Sequence, residues 1–482
     1  MALTKQQQTV IDTLQKPDVS LVLCPAVAGS GKTHTLVELA KQMPIKSGIY
    51  IAYNKSISDE AEGKFKGTPV QCSTIHAMAY RAVVKQYGLK VGYFGVRDVH
   101  SLDGTTLTYK MKKTLVDTIE DFCLSGSTDP QDYINNTLVN VSSDLFLSYL
   151  NKLANGEVQC SHSFYLKLYH MYLHNGTITP PSTDLLMLDE SADVTALTLE
   201  IFKLIKAPKK IAVGDEFQNI YGFNKTVNGF KELANEGVTT KLTESFRVST
   251  KIAPRVEQFV SKYLDSTFEF KGHEYPDDFP ILTKAYLSRN NSGLLDEMFR
   301  LYEQGTPFNT ARPIDTILEM PLLLANLGSG QPITEYRYKH IEKLRQAWNL
   351  DSKLQRTYPT VTNYVAKQLN DDEDIQRAIK VVYKHGPKDL NQLAQYVRGF
   401  NKVTTNLTLS TAHSVKGLEY HSVEIAPDLN DAVTKALTKL MEAKINHKPA
   451  IIKDAKSDLM LYYVAISRAM VELTNAKYAK VL

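Results

Sequence analysis

Ala26-Val27-Ala28-Gly29-Ser30-Gly31-Lys32-Thr33 lies between the apolar run Leu21-Val22-Leu23-Cys24 and the run Thr35-Leu36-Val37-Glu38-Leu39-Ala40. The first run reads as a buried strand and the second as a helix. Strand, glycine-rich loop, Lys-Thr and helix make the setting of a phosphate-binding loop. Gly29 and Gly31 let the loop's N–H groups, those of Ala28 and Ser30 included, curl around phosphate oxygens. Lys32 can reach the outer phosphates, and the Thr33 hydroxyl can ligate Mg²⁺. The helix N-terminus adds partial positive charge behind them. Ala26 stands where the strict pattern has its first glycine. The other reading, a glycine-rich turn without a ligand, does not account for the strand before and the helix after.

At 482 residues the chain exceeds one ordinary core, so two or more domains are expected. A net charge of +4 permits nucleic-acid binding only if basic residues gather in a groove. Cys24, Cys72, Cys123 and Cys160 are scattered and form no CxxC pair, which argues against a zinc site or disulfide framework. The start, Met1-Ala2-Leu3-Thr4-Lys5-Gln6, has no apolar core of a signal peptide, and no run approaches membrane-spanning length. A cytoplasmic, nucleoid or nuclear location without a membrane partner is expected. The acidic cluster at 371–374 reads as a solvated helix start.

Asp184-Leu185-Leu186-Met187-Leu188 reads as a second buried strand, ending in Asp189-Glu190-Ser191-Ala192-Asp193. In P-loop enzymes an acid at the end of a neighbouring strand faces the loop and holds Mg²⁺, a role that suits Asp189. Glu190 is placed to orient and deprotonate an attacking water. The plainer reading is an acidic helix cap, for which Asp193 is also a candidate. A further strand, Lys210–Gly214, leads to Asp215 and Gln218, whose amide can sense a γ-phosphate. Tyr221 and Phe223 follow; by spacing alone, core packing suits both better than base stacking.

With Gly214-Asp215-xx-Gln218-x-Ile220-Tyr221-Gly222-Phe223 in view, the chain resembles a superfamily 1 helicase of the UvrD/Rep type. Leu3–Gln8 resembles the Q motif, Ile51–Ile57 motif Ia, and Ser73–Tyr80 motif Ib. Leu242–Arg247 resembles motif IV, Leu409–Tyr420 motif V, and Leu461–Ala469 motif VI. The forms Tyr53-Asn54-Lys55-Ser56-Ile57 and Leu242-Thr243-Glu244-Ser245-Phe246-Arg247 are nearest the F-box DNA helicase branch, here without an F-box before the Q motif.

The resemblance implies roles for matching residues. Gln7 would read adenine, Phe246 would stack on it, and Gly417 and Glu419 would contact the ribose region. Arg247 and Arg468 would reach the γ-phosphate. Tyr53, Asn54, Thr74, His76, Tyr221, Phe223, Thr411 and His413 would line a single-strand track. Core packing for the two phenylalanines and satisfied polar roles for His76 and His413 remain the alternatives. Three departures stand out: Val27 where glycine is common, Ala192 where glutamine is usual, and Asn224 where arginine is common. The second removes an amide that could link the ATP site to neighbouring motifs.

The expected fold is α/β: two RecA-like P-loop motor domains with parallel sheets, each carrying a mainly helical insertion. The expected divisions are 1–85 with 176–240 for the first motor, 86–175 for its insertion, 241–324 with 401–482 for the second motor, and 325–400 for a reduced insertion. The implied activity is ATP- and Mg²⁺-dependent translocation along single-stranded or tailed duplex DNA, 3′ to 5′, by a monomer, in replication, recombination or repair. The alternative is a DNA-stimulated ATPase that remodels recombinase filaments with little unwinding. A recombinase or single-strand-binding protein is the expected protein partner. A nuclease fusion is disfavoured because no separate carboxylate-lysine constellation is seen.

Overall fold

The computed structural model describes residues 2–102, 104, 106–220, 226–328, 373–399, 405–446 and 449–480. The chain forms two compact units, Met1–Phe246 and Arg247–Leu482. Tyr221 and Phe223 lie outside the described residues, as does most of the expected second insertion.

The first unit is built on six parallel strands. They are β1 (Leu21–Pro25), β2 (Gly48–Ala52), β3 (Val70–Thr74), β4 (Leu185–Leu188), β5 (Lys209–Gly214) and β6 (Val238–Thr239), in the order β3-β2-β4-β5-β1-β6. The central strands are apolar on both faces, as a doubly covered parallel sheet requires. Alternation assigns the faces. Leu21, Leu23, Leu186 and Leu188 join one core, and Val22, Cys24, Leu185 and Met187 join the other. Each fully buried leucine contributes about 1.5–3 kcal/mol.

The core on the first face also contains Phe122, Phe146, Tyr165 and Tyr169. These come from helices Tyr109–Leu124, Ser143–Ala154 and His162–His174. The helical stretch after β3 is therefore packed into the same core as the sheet. The helix after Asp193 spans Ala196–Leu204, and Thr195 caps it through the Thr198 N–H. Asp193 instead closes a short turn, its N–H donating to the Glu190 carbonyl.

The second unit has its own parallel sheet. Its strands are β7 (Lys284–Ser288), β8 (Asn309–Thr310), β9 (Leu407–Thr411), β10 (Tyr420–Ile425) and β11 (Ala469–Thr474), ordered β8-β9-β7-β10-β11. β7 starts three residues later than its apolar run, which begins at Ile281 just after Pro280. Helices Asn291–Glu303, Ile314–Gly328 and Glu373–Arg398 share a core with Tyr286 and Leu409. Gly386, at φ 74°, breaks the last helix with a kink. Among the described residues no helix is long and apolar enough to cross a membrane.

Candidate nucleotide site and strand-facing cavity

β1 delivers the chain into the loop Ala26–Gly31, and helix Lys32–Gln42 leaves it. Gly29 and Gly31 have φ of 74° and 76°, the left-handed region that glycine occupies without strain. A Cβ on Gly31 would stand 2.9 Å from Gln7 Nε2 and 3.5 Å from the Phe246 ring. Gln7 and Phe246, both adenine candidates, thus flank the loop. Phe246 is 38% exposed, which sets aside core packing for it. Its N–H donates to the Gly29 carbonyl at 2.8 Å, and Ser245 Oγ donates to Ala28 O at 2.7 Å. Gln7 is buried and closes a capping box with Thr4 at the first helix, Lys5–Gln15. Next to it, Gln6 exchanges two hydrogen bonds with Thr243, at 2.8 and 2.9 Å.

The acidic pair follows β4, two strands away from β1. Asp189 is buried, and Glu190 takes φ 52°, a conformation rare for a side chain with a Cβ. That turn brings Glu190 Oε1 to 3.5 Å from Lys32 Nζ. Burial and the neighbouring Glu190 charge raise the Asp189 pKa; Lys32, the Tyr50 hydroxyl and the Glu190 N–H oppose that rise. Tyr50, from β2, donates a short hydrogen bond to Asp189 Oδ2, and the Glu190 N–H donates to Oδ1 at 2.8 Å. Sequence reasoning missed Tyr50. The available signal was a hydroxyl-bearing ring in a buried strand, where such a group needs a partner.

Gln218 Nε2 donates to Asp215 Oδ2 at 2.8 Å, so the sensor candidate is held at the end of β5. Gly214 allows this segment to approach the acidic loop: a Cβ there would stand 2.9 Å from Ser191 N and 3.0 Å from Ala192 N. The amide missing at Ala192 has a counterpart, because Asn219 Nδ2 donates to the Ala192 carbonyl at 2.8 Å.

The residues present fit a nucleoside triphosphate with Mg²⁺. A side chain at Gly31 would be strained by its φ of 76° and would crowd Gln7 Nε2, and Ser30 Oγ is buried with no hydrogen-bond partner. Thr33 and Asp189 are two hard oxygen donors, and phosphate oxygens and water complete such a sphere in general. Among the described residues no group of three or more His, Cys, Asp or Glu side chains offers an independent metal site.

Three track candidates meet in the first unit. Tyr53, Thr74 and His76 line a cavity of about 300 Å³ that also reaches Asp189, Asp193 and Ser163. The His76 ring sets its edge against Tyr165 at 5.8 Å. Asn54 and Thr74 cap the helices that follow β2 and β3.

In the second unit, Arg247 Nε donates to Glu419 Oε2 at 2.7 Å. Arg468 is buried, with Nε donating to Val464 O at 2.9 Å and Nη1 to Leu418 O at 3.2 Å. Gly417 has φ 90° beside them. Thr411 shares a hydrogen bond with Ser414 at 3.0 Å. The His413 imidazole is pushed down to about 4 by burial and by Arg289 and Arg312, so it is neutral at physiological pH. All four cysteines are free thiols.

Two parallel sheets, a glycine cradle and an acidic pair make an α/β protein of the P-loop class with two RecA-like folds. Comparison with known proteins is consistent with that class and narrows it. A family model described as an AAA domain matches residues 6–224. F-box DNA helicase protein 1 of Schizosaccharomyces pombe is 25% identical over 95% of this chain and 57% of its own length. F-box DNA helicase 1 of Gallus gallus is 23% identical over 89% of this chain and 45% of its own length. The chain therefore resembles UvrD-like helicases of the F-box DNA helicase branch along most of its length. It spans about half the length of the curated relatives it matches.

Proposed function

We propose that the chain is an ATP-hydrolysing DNA helicase or translocase that moves along single-stranded DNA from 3′ to 5′. The observation that carries this reading is the approach of Lys32 to Glu190 beside the buried Asp189. Loop N–H groups and Lys32 bind the triphosphate, while Gln7 and Phe246 hold the base. Glu190 orients the attacking water and accepts its proton. Gln218 senses the γ-phosphate. Arg247 and Arg468 supply charge to the transferring phosphoryl group, and Gly417 and Glu419 contact the ribose region. Thr33 and Asp189 would hold Mg²⁺, which would neutralise phosphate charge. Tyr53, Asn54, Thr74, His76, Thr411 and His413 grip the strand by stacking and phosphate contacts, without sequence preference. Tyr221 and Phe223 take the same role by resemblance.

The proposed divisions are motor segments at 1–85 with 176–240 and at 241–324 with 401–482. The insertions are 86–175 and 325–400. Both motor segments and all phosphate-contacting residues lie in one chain, which favours action as a monomer. The test is unwinding of duplexes with 3′ or 5′ tails across protein concentrations. Opening of the 3′-tailed duplex, linear in protein, is expected. Opening from 5′ tails alone contradicts the polarity, and steep concentration dependence contradicts the monomer.

A further inference from the structure

We infer that Asn219 is a positioning residue that transmits strand occupancy to the hydrolytic loop. The inference rests on the function proposed above. Asn219 sits immediately after the sensor candidate Gln218, and its side chain bonds in two directions. Nδ2 donates to the Ala192 carbonyl at 2.8 Å, within the acidic loop, and Oδ1 accepts from Thr226 Oγ1 at 3.1 Å. Thr226 belongs to a two-residue strand, Thr226–Val227, that pairs antiparallel with Val194–Thr195 just beyond the acidic loop. In sequence Thr226 directly follows 221–225, the stretch with the track candidates Tyr221 and Phe223.

One amide therefore joins three segments: the sensor turn, the acidic loop and the short strand Thr226–Val227. The acceptor on the acidic loop is a backbone carbonyl, so the link does not depend on the side chain at 192. Ala192 is thereby tolerated where a glutamine amide is usual in the resembling family. The segments are also crowded together by missing side chains. A Cβ on Gly229 would stand 2.5 Å from Ser191 O, and one on Gly214 would stand 2.9 Å from Ser191 N. Close backbone packing leaves few soft modes, so a shift of Thr226 must be shared by the acidic loop. Asn219 touches neither phosphate nor water in this account and acts through Ala192 and Gln218.

The test compares Asn219→Ala, Asn219→Asp and Thr226→Val with the unmodified chain. ATPase rate and KM for ATP are measured with and without a single-stranded oligonucleotide, beside melting temperature. Asn219→Asp keeps the acceptor for Thr226 but loses the donor to Ala192. Stimulation by DNA is expected to fall about tenfold in Asn219→Ala and Asn219→Asp. The rate without DNA and the KM should stay within about twofold. Thr226→Val should show a smaller loss of the same kind. Full stimulation in Asn219→Ala overturns the inference. So does a loss matched by equal falls in basal rate, ATP affinity and melting temperature, which is what a purely structural role gives. If the unmodified chain itself gains nothing from DNA, the proposed function fails first, and the inference with it.

Discussion

Lys32 Nζ stands 3.5 Å from Glu190 Oε1, and both side chains are about 15% exposed. A cation from the phosphate loop thus faces the carboxylate assigned to the attacking water. An arriving triphosphate must compete with Glu190 for that cation. Glu190→Gln removes the competing charge and the general base together. It should bind ATP at least as tightly as the unmodified protein while its hydrolysis rate falls about 10²–10⁴-fold. Single-turnover hydrolysis beside nucleotide binding separates the two effects. Normal turnover in this variant would remove Glu190 from the chemistry.

Tyr50→Phe deletes only the hydroxyl that donates to Asp189, and leaves the ring against Phe65 at 5.2 Å between centroids. Partners that orient a metal ligand are typically worth 10–100-fold in metal affinity. The Mg²⁺ concentration for half-maximal ATPase should therefore rise by about 10-fold or more, with saturating rates much less affected. An unchanged Mg²⁺ titration would mean that Tyr50 serves packing alone.

Tyr53 is 40% exposed at the mouth of the cavity shared with Thr74 and His76. If its ring stacks on a base, Tyr53→Ala should weaken single-strand binding by about 1–3 kcal/mol. Nucleotide affinity should not change. Fluorescence anisotropy with a labelled oligonucleotide reads the first, and equal affinity in both proteins would take Tyr53 off the track.

Lys167 is fully buried in the helix His162–His174, donating to Ser125 O and Ser127 O over the Phe122 ring. Burial pushes its ammonium down to about 8, from an ordinary 10.5. Between those values the unfolded chain keeps a proton that the folded chain has released. Stability should therefore rise with pH across that window, at up to about 1.4 kcal/mol per pH unit. Urea unfolding from pH 7 to 10 should show this rise in the unmodified chain and its loss in Lys167→Met. Superimposable pH profiles would show that Lys167 does not titrate there.

The phosphate loop, the acidic pair and the strands around them were legible because their chemistry needs neighbours in sequence. Glycines, a lysine and a threonine must be contiguous to wrap a phosphate, and a buried parallel strand must be a short apolar run. The links between these pieces were not legible. Tyr50 and Asp189 are 139 residues apart, and Gln6 and Thr243 are 237 apart. No periodicity records such pairings. Asn219 gave no signal because its partner is a backbone carbonyl, which every residue carries. The edge strands Asn309–Thr310 and Ala469–Thr474 were also missed. The first is too short for a pattern, and the second begins inside the stretch read as motif VI.

The most direct test of the central claim is steady-state ATP hydrolysis with Mg²⁺, measured alone and with single-stranded DNA, duplex DNA or RNA. A low rate alone is expected, with a strong rise on adding single-stranded DNA that weakens as salt is added, because phosphate contacts release counterions. A rate that is absent, or indifferent to every polynucleotide, would contradict that claim.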